Sequence, residues 1–168
     1  MFTVGSKVIH PLHGLGTVEK VEEKAILGQV SQFACISFQN DRLKIMVNLE
    51  QRNSMIRPLI EADEIERVME HLRNCEGNLP TKSSERYNIN LRKIKSCDIY
   101  QLAEVVRDLT GLSKEKKLSP KEQQMLKQSR KMLSVEFGYV TSRDEEEMEA
   151  VIDATCRNED AEVLAATA

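Results

Sequence analysis

The 168-residue chain has no tryptophan, three tyrosines and four phenylalanines, so aromatics supply only 4% of it. Stacking of unpaired bases on aromatic platforms is a poor match to that composition. No apolar run approaches the ~20 residues that span a bilayer, which argues against an integral membrane protein. The opening residues Met1-Phe2-Thr3-Val4-Gly5 contain neither a basic nor an apolar leader segment, and no secretory signal is expected. With four prolines and seven glycines beside 40% hydrophobic and 30% charged residues, the chain is neither collagen-like nor low-complexity. It has room for one ordinary domain or two small ones.

The signals of metal and catalytic chemistry are equally scarce. The cysteines Cys35, Cys75, Cys97 and Cys156 form no CxxC pair. Without a secretory signal they read as small core residues in a reducing compartment. His10 and His13 lie three apart, but no cysteine or carboxylate pair stands beside them at ligand spacing, so no metal site is expected. There is no GxSxG elbow and no GK[ST]; Gly14 and Gly16 do not extend to GxGxxG because position 19 is Glu19. The acidic run Asp144, Glu145, Glu146, Glu147 and Glu149 sits where a helix begins, and carboxylates favour that end of the helix dipole. No catalytic residue and no cofactor is expected, and an enzyme is improbable on these grounds.

What the sequence does contain changes character near residue 58. Before it, Val8-Ile9-His10 is a short β-rich run ended by Pro11 and the turn His13-Gly14-Leu15-Gly16. Residues 17–27 lead to Gly28, a hairpin turn residue. Phe33, Cys35 and Ser37 then alternate with Ala34, Ile36 and Phe38 in a run expected to be buried on both faces. Asn40-Asp41 marks another turn. Beyond it Leu43, Ile45 and Val47 alternate with Lys44, Met46 and Asn48, a half-buried strand. Four or five short strands in under 60 residues imply a small, bent antiparallel sheet or barrel.

After Pro58 the apolar period becomes helical. Ile65, Val68, Met69 and Leu72 form one stripe, Tyr87, Leu91 and Ile94 a second. Ile99, Leu102, Ala103, Val106 and Leu109 form a third, expected to end near Gly111. Ser119-Pro120-Lys121-Glu122 is a capping box with proline at the first helical position. It introduces a face of Met125, Leu126, Ser129, Met132, Leu133 and Phe137. Ser142-Arg143-Asp144-Glu145 reads as a second capping box, opening a helix with Met148, Val151 and Ile152. The expected class is thus α+β: a β domain over 1–58, an all-α bundle of about five helices over 61–158, and a frayed tail over 159–168.

Charge follows the same segmentation. Residues 1–60 carry +2, 61–81 carry −4, 82–131 carry +7 and 132–168 carry −8, within a total of −3. A basic block between acidic ones is a plausible footprint for phosphate contact, although long helices need solvated charged faces in any case.

The stretch Val4-Gly5-Ser6-Lys7-Val8-Ile9-His10-Pro11-Leu12-His13-Gly14-Leu15-Gly16-Thr17-Val18 resembles the opening of the CarD-like bacterial transcription regulators, whose pattern is roughly VGxxVxYPxHGxGxV. His10 stands where tyrosine is usual. Arg86-Tyr87-x-x-Asn90-Leu91, Ala103-Glu104-Val105-Val106-Arg107-Asp108-Leu109 and Leu118-Ser119-Pro120-Lys121-Glu122 are similar to the family's helical domain. The resemblance covers about residues 2–156. It implies a Tudor-like N-terminal domain that binds the RNA polymerase β subunit, and a helical domain that touches promoter DNA and modulates open complexes. It implies no cofactor, no small-molecule substrate and no membrane, and a cytoplasmic chain carried to the nucleoid by polymerase.

By that resemblance Lys24, Lys44, Met46, Val47 and Asn48 face the polymerase, with Lys24 and Met46 at positions often held by arginine. Ser83, Arg86, Asn88, Lys121 and Lys127 face DNA. Ser83 replaces the tryptophan that family members wedge into the minor groove, and a hydroxymethyl group cannot fill an unstacked base step. Ser83 also reads as a helix N-cap. Glu85, Asn88 and Gln123 stand where basic residues are common. Weak DNA contact without sequence preference is therefore expected. The alternative is a polymerase-binding interaction module with little or no DNA contact.

Overall fold

The computed structural model describes residues 2–38, 43–51, 55–74 and 77–158. The Asn40-Asp41 turn, Cys75 and the tail from Glu159 lie outside them. Two units separate between Leu59 and Ile60.

The first unit is one antiparallel sheet of β1 (Lys7–His10), β2 (Gly14–Ile26), β3 (Gln29–Phe38), β4 (Lys44–Asn48) and β5 (Arg57–Pro58), in the order β4-β3-β2-β1-β5. Two glycines of the opening motif shape it. Gly14 takes a φ of +70°, which a side chain would resist, and so turns the chain from β1 into β2. A Cβ on Gly16 would lie 2.6 Å from Ile36 Cγ2, so only hydrogen lets β2 lie against the core there. Glu19 is an extra residue between the pairs Val18–Ile36 and Lys20–Cys35, a bulge that bends β2. The β2–β3 hairpin closes through Leu27 and Gly28, both at positive φ, as a tight two-residue hairpin turn demands.

Val8, Val18, Ala34, Ile36, Phe38 and Ile56 form the core of this unit. β3 is buried on one face only: Ala34, Ile36 and Phe38 are inside, while Phe33, Cys35 and Ser37 are half-buried on the other side. The expectation of burial on both faces is corrected accordingly, because among the described residues of this unit nothing stacks on the outer face closely enough to seal it. In β4, Ile45 and Val47 pack on the core, whereas Lys44 and Met46 are exposed.

The second unit holds α1 (Ala62–Asn74), α2 (Ser83–Lys95), α3 (Ile99–Glu115), α4 (Pro120–Thr141) and α5 (Glu145–Cys156). Val68, Met69 and Leu72 of α1, Leu102, Val106 and Leu109 of α3, Leu133 and Phe137 of α4, and Met148, Val151 and Ile152 of α5 share one core. α3 runs past Gly111 to Glu115, since Leu112 packs against this core and holds the last turn. The capping box at Ser119 forms with both reciprocal bonds. The one expected at Ser142 does not. Ser142 ends α4 in a left-handed conformation, φ +56°, and Asp144 caps α5 by accepting from the Glu146 N–H. Cys156 packs on the core and burial pushes its thiol up to about 11. Cys35 and Cys97 are only half-buried, Cys97 at φ +60° between α2 and α3, so neither is the core residue expected. No helix among the described residues is long and apolar enough to cross a membrane.

Candidate functional site

β4 is an edge strand, paired only with β3 among the described residues. The Leu49 N–H donates to the Gln32 carbonyl at 2.8 Å, and the Phe38 N–H to the Leu43 carbonyl at 3.1 Å. In an antiparallel ladder these groups alternate, so the odd-numbered residues of β4 turn their backbone toward β3. Lys44, Met46 and Asn48 therefore direct N–H and C=O groups off the open edge. Their side chains share the outer face of the sheet, in register with Ser37, Cys35 and Phe33. Val47 does neither, because its backbone pairs with Ala34 and its side chain lies against the core. It is half-buried, partly covered by that core.

Lys24 lies on the same outer face, further along the hairpin and opposite Ser31. Its ammonium is 2.9 Å from Glu22 Oε1, and Lys20 takes the other oxygen of that carboxylate. Hydrogen bonds from Lys20 and then Lys24 hold the Glu22 carboxyl below its usual range. At the bulge, Lys44 Nζ is 2.6 Å from Glu19. The face thus presents paired charges, exposed at Lys44 and half-buried at Glu22 and Lys24, beside the apolar Met46, which is 46% exposed.

In the helical unit the five DNA-facing candidates divide. Arg86 is 4% exposed and points inward. Its Nε donates to Glu122 Oε1 at 2.7 Å and its Nη1 to the Pro80 carbonyl at 3.1 Å. A guanidinium committed in this way cannot reach a phosphate, so Arg86 is corrected from a DNA contact to an internal tie between α2 and α4. Ser83 is not the N-cap, which is Lys82. Its hydroxyl lies 3.0 Å from Glu122 Oε2 and 3.1 Å from Ser119 Oγ. Glu122 also accepts from the Ser119 N–H at 2.9 Å. Burial alone would raise the pKa of Glu122, but the bonds from Arg86, Ser119 and Ser83 outweigh it and hold the carboxyl at about 2.

The other candidates are on the surface. Asn88 is exposed on α2, near Glu85, whose carboxylate is 3.4 Å from Lys82 Nζ. Lys121 and Lys127 are exposed on α4, and Lys121 Nζ lies 5.7 Å from the Tyr87 ring centre. Glu122, the hub of the network, was legible in the sequence only as half of a capping box.

Comparison with known proteins matches both units. Residues 2–60 fit the CarD-like/TRCF RID domain and residues 67–153 the CarD, C-terminal domain. A protein of Bacillus subtilis (strain 168), named "Putative transcription factor YdeB", is 30% identical over 151 residues, covering 89% of this chain and 99% of that one. An RNA-polymerase-interacting sheet followed by this helical domain makes the molecule a transcription regulator that interacts with RNA polymerase. The chain belongs to the CarD-like family.

Proposed function

We propose that the chain docks on the β subunit of RNA polymerase by adding the β4 edge to a polymerase strand. Its helical unit then modulates promoter open complexes through weak, non-sequence-specific contact with DNA phosphates. The observation that carries the reading is the open edge, with three residues directing hydrogen-bonding groups outward beneath an exposed methionine. An unpaired edge is a template for strand addition, in which backbone bonds supply affinity and flanking side chains supply specificity. Lys24 and Lys44 offer positive charge on the same face, each already balanced by a carboxylate, so a partner must bring an acidic group to compete for them. Val47 contributes to the fold of the strand and not to the contact. The working location that follows is the cytoplasm, at the nucleoid.

Met46→Pro tests the docking. Proline removes an N–H that faces outward and leaves the ladder to β3 complete, which edge strands tolerate. Binding of the full chain to its cognate core polymerase should fall at least about tenfold, the equivalent of about 1.4 kcal/mol. Lys24→Glu should weaken it as well. Undiminished binding by both folded variants would refute the reading.

A second reading, a polymerase-bound module that never touches DNA, is favoured by the exposed Glu85 and by the inward commitment of Ser83 and Arg86. Under it, Lys121→Glu with Lys127→Glu leaves open-complex lifetime unchanged; under the first, the lifetime effect shrinks.

A further inference from the structure

The cations of the helical unit fall into two populations. Many are neutralised within the fold: Lys93 by Glu104 at 2.8 Å, Arg130 by Asp153 at 2.8 Å, Arg143 by Glu147 at 3.3 Å. Lys114, Lys116, Lys117, Lys121 and Lys127 are exposed, and among the described residues none of them has a carboxylate in ion-pair range. All five lie at the end of α3, in the connector to α4, or on the first turns of α4.

They do not merely dot the surface. Beside the connector opens a cleft of about 540 Å³, with the exposed Lys116, Lys117 and Lys127 on its rim and the buried Leu118 and Leu126 in its floor. Glu149 is the one carboxylate of its lining. Lys117 also lines a second depression of about 470 Å³ that reaches Ser83 and Arg86. A polyanion laid here meets lysines that, among the described residues, have no carboxylate within ion-pair range. At the start of α2 it meets an exposed Glu85, an uncharged Asn88 and an arginine already buried.

We propose that duplex DNA meets this chain at the α3–α4 connector, its phosphodiester backbone held by Lys116, Lys117 and Lys127, and not at the start of α2. The proposal rests on the reading of the helical unit as DNA-contacting. Phosphate contact without groove insertion reads no sequence and releases counterions in proportion to the phosphates neutralised.

The test is fluorescence anisotropy of the full chain on a labelled duplex of about 20 base pairs, from about 50 to 200 mM salt. The triple variant Lys116→Glu, Lys117→Glu, Lys127→Glu should bind at least about tenfold more weakly at the lowest salt, and its log–log salt slope should shrink by about three. Asn88→Glu should stay within about twofold of wild type. If Asn88→Glu weakens binding more than the triple variant does, contact lies at the start of α2; the proposal falls and the DNA reading stands. If the wild type binds no duplex at the lowest salt, the DNA reading falls and the proposal with it. Tripolyphosphate binding that the triple variant abolishes, without duplex binding by the wild type, would make the cleft a small-anion site and likewise overturn the proposal.

Discussion

Replacing Arg86 by alanine should unfold the helical unit more than it disturbs any partner. The two side chains of the pair are 5% and 0% exposed, and the Glu122 carboxylate loses its principal charged donor when Arg86 goes. The serines at 83 and 119 remain as neutral donors and cannot balance a full buried charge. Breaking one side of a buried pair costs about 3–5 kcal/mol, whereas replacing both sides by apolar residues of similar volume is often near neutral. For a unit of this size that loss lowers the melting temperature by at least about 12 °C. Arg86→Met combined with Glu122→Leu should recover most of it, giving a coupling energy of several kcal/mol in a double-mutant cycle followed by far-ultraviolet circular dichroism. Acid titration supplies an independent check. The folded pKa of Glu122 is depressed to about 2, so its contribution is full above the unfolded carboxylate value and is lost as pH falls toward 2. The double variant should lack that share of acid sensitivity. An Arg86→Ala protein with less than about 1 kcal/mol of lost stability, and with a DNA salt slope reduced by about one, would refute the reasoning and return Arg86 to the DNA interface.

His10 makes the sheet acid-sensitive at a higher pH. Burial first, and then the neighbouring His13, lower its pKa from 6.5 to about 4, and its Nδ1 accepts from the Leu12 N–H at 3.2 Å, a bond that protonation there removes. The folded state binds fewer protons than the unfolded one, so stability is full above pH 6.5 and declines by up to about 3 kcal/mol as pH falls through 6.5 toward 4; urea midpoints of wild type and His10→Phe across that window check it. Gly16→Ala places a methyl 2.6 Å from Ile36 Cγ2 and 2.8 Å from Phe38 Cε1, and should cost about 1–3 kcal/mol by overpacking, read from the same midpoints. Ser83→Trp should leave promoter open-complex lifetime with the cognate polymerase at the wild-type value, at the expense of about 1 kcal/mol of stability from the hydroxyl removed from Glu122; a lengthened lifetime would show that the start of α2 still faces the bubble.

The architecture was readable because periodicity is local. Alternation marked β4, the 3.6-residue stripes marked the helices, and Ser119-Pro120 marked the start of α4. The misreadings share one cause, dependence on a residue distant in sequence. Arg86 looks like a surface cation because its partner lies 36 residues away on another helix. Ser83 looks like a cap because serine so often is one, yet Lys82 holds the cap position and the hydroxyl turns to Glu122. Asp144 beat Ser142 to the cap of α5 by two residues, a difference beneath the resolution of a motif in which both positions carry a capping residue type. The basic block over 82–131 is legible in composition, but whether each lysine is neutralised is a property of neighbouring helices that composition does not carry.

Whether a lysine is neutralised decides what a chain with serine at position 83 can offer to DNA. A wedge works by shape and apolar area, and its effect survives salt. At Ser83, where the family resemblance sets the wedge, the hydroxyl is committed inward to a carboxylate held at about 2, so no protonation in the physiological range frees it. What remains available to DNA is unpaired positive charge, whose pull weakens steeply as rising salt makes the release of DNA counterions less favourable. A polymerase-tethered domain compensates for weak intrinsic affinity through effective concentration, since a linker of a few residues holds it near the promoter at millimolar levels. Any influence of this chain on an open complex should then require the β4 contact and fade with ionic strength, whereas a wedge would keep its effect at salt concentrations that release the lysines.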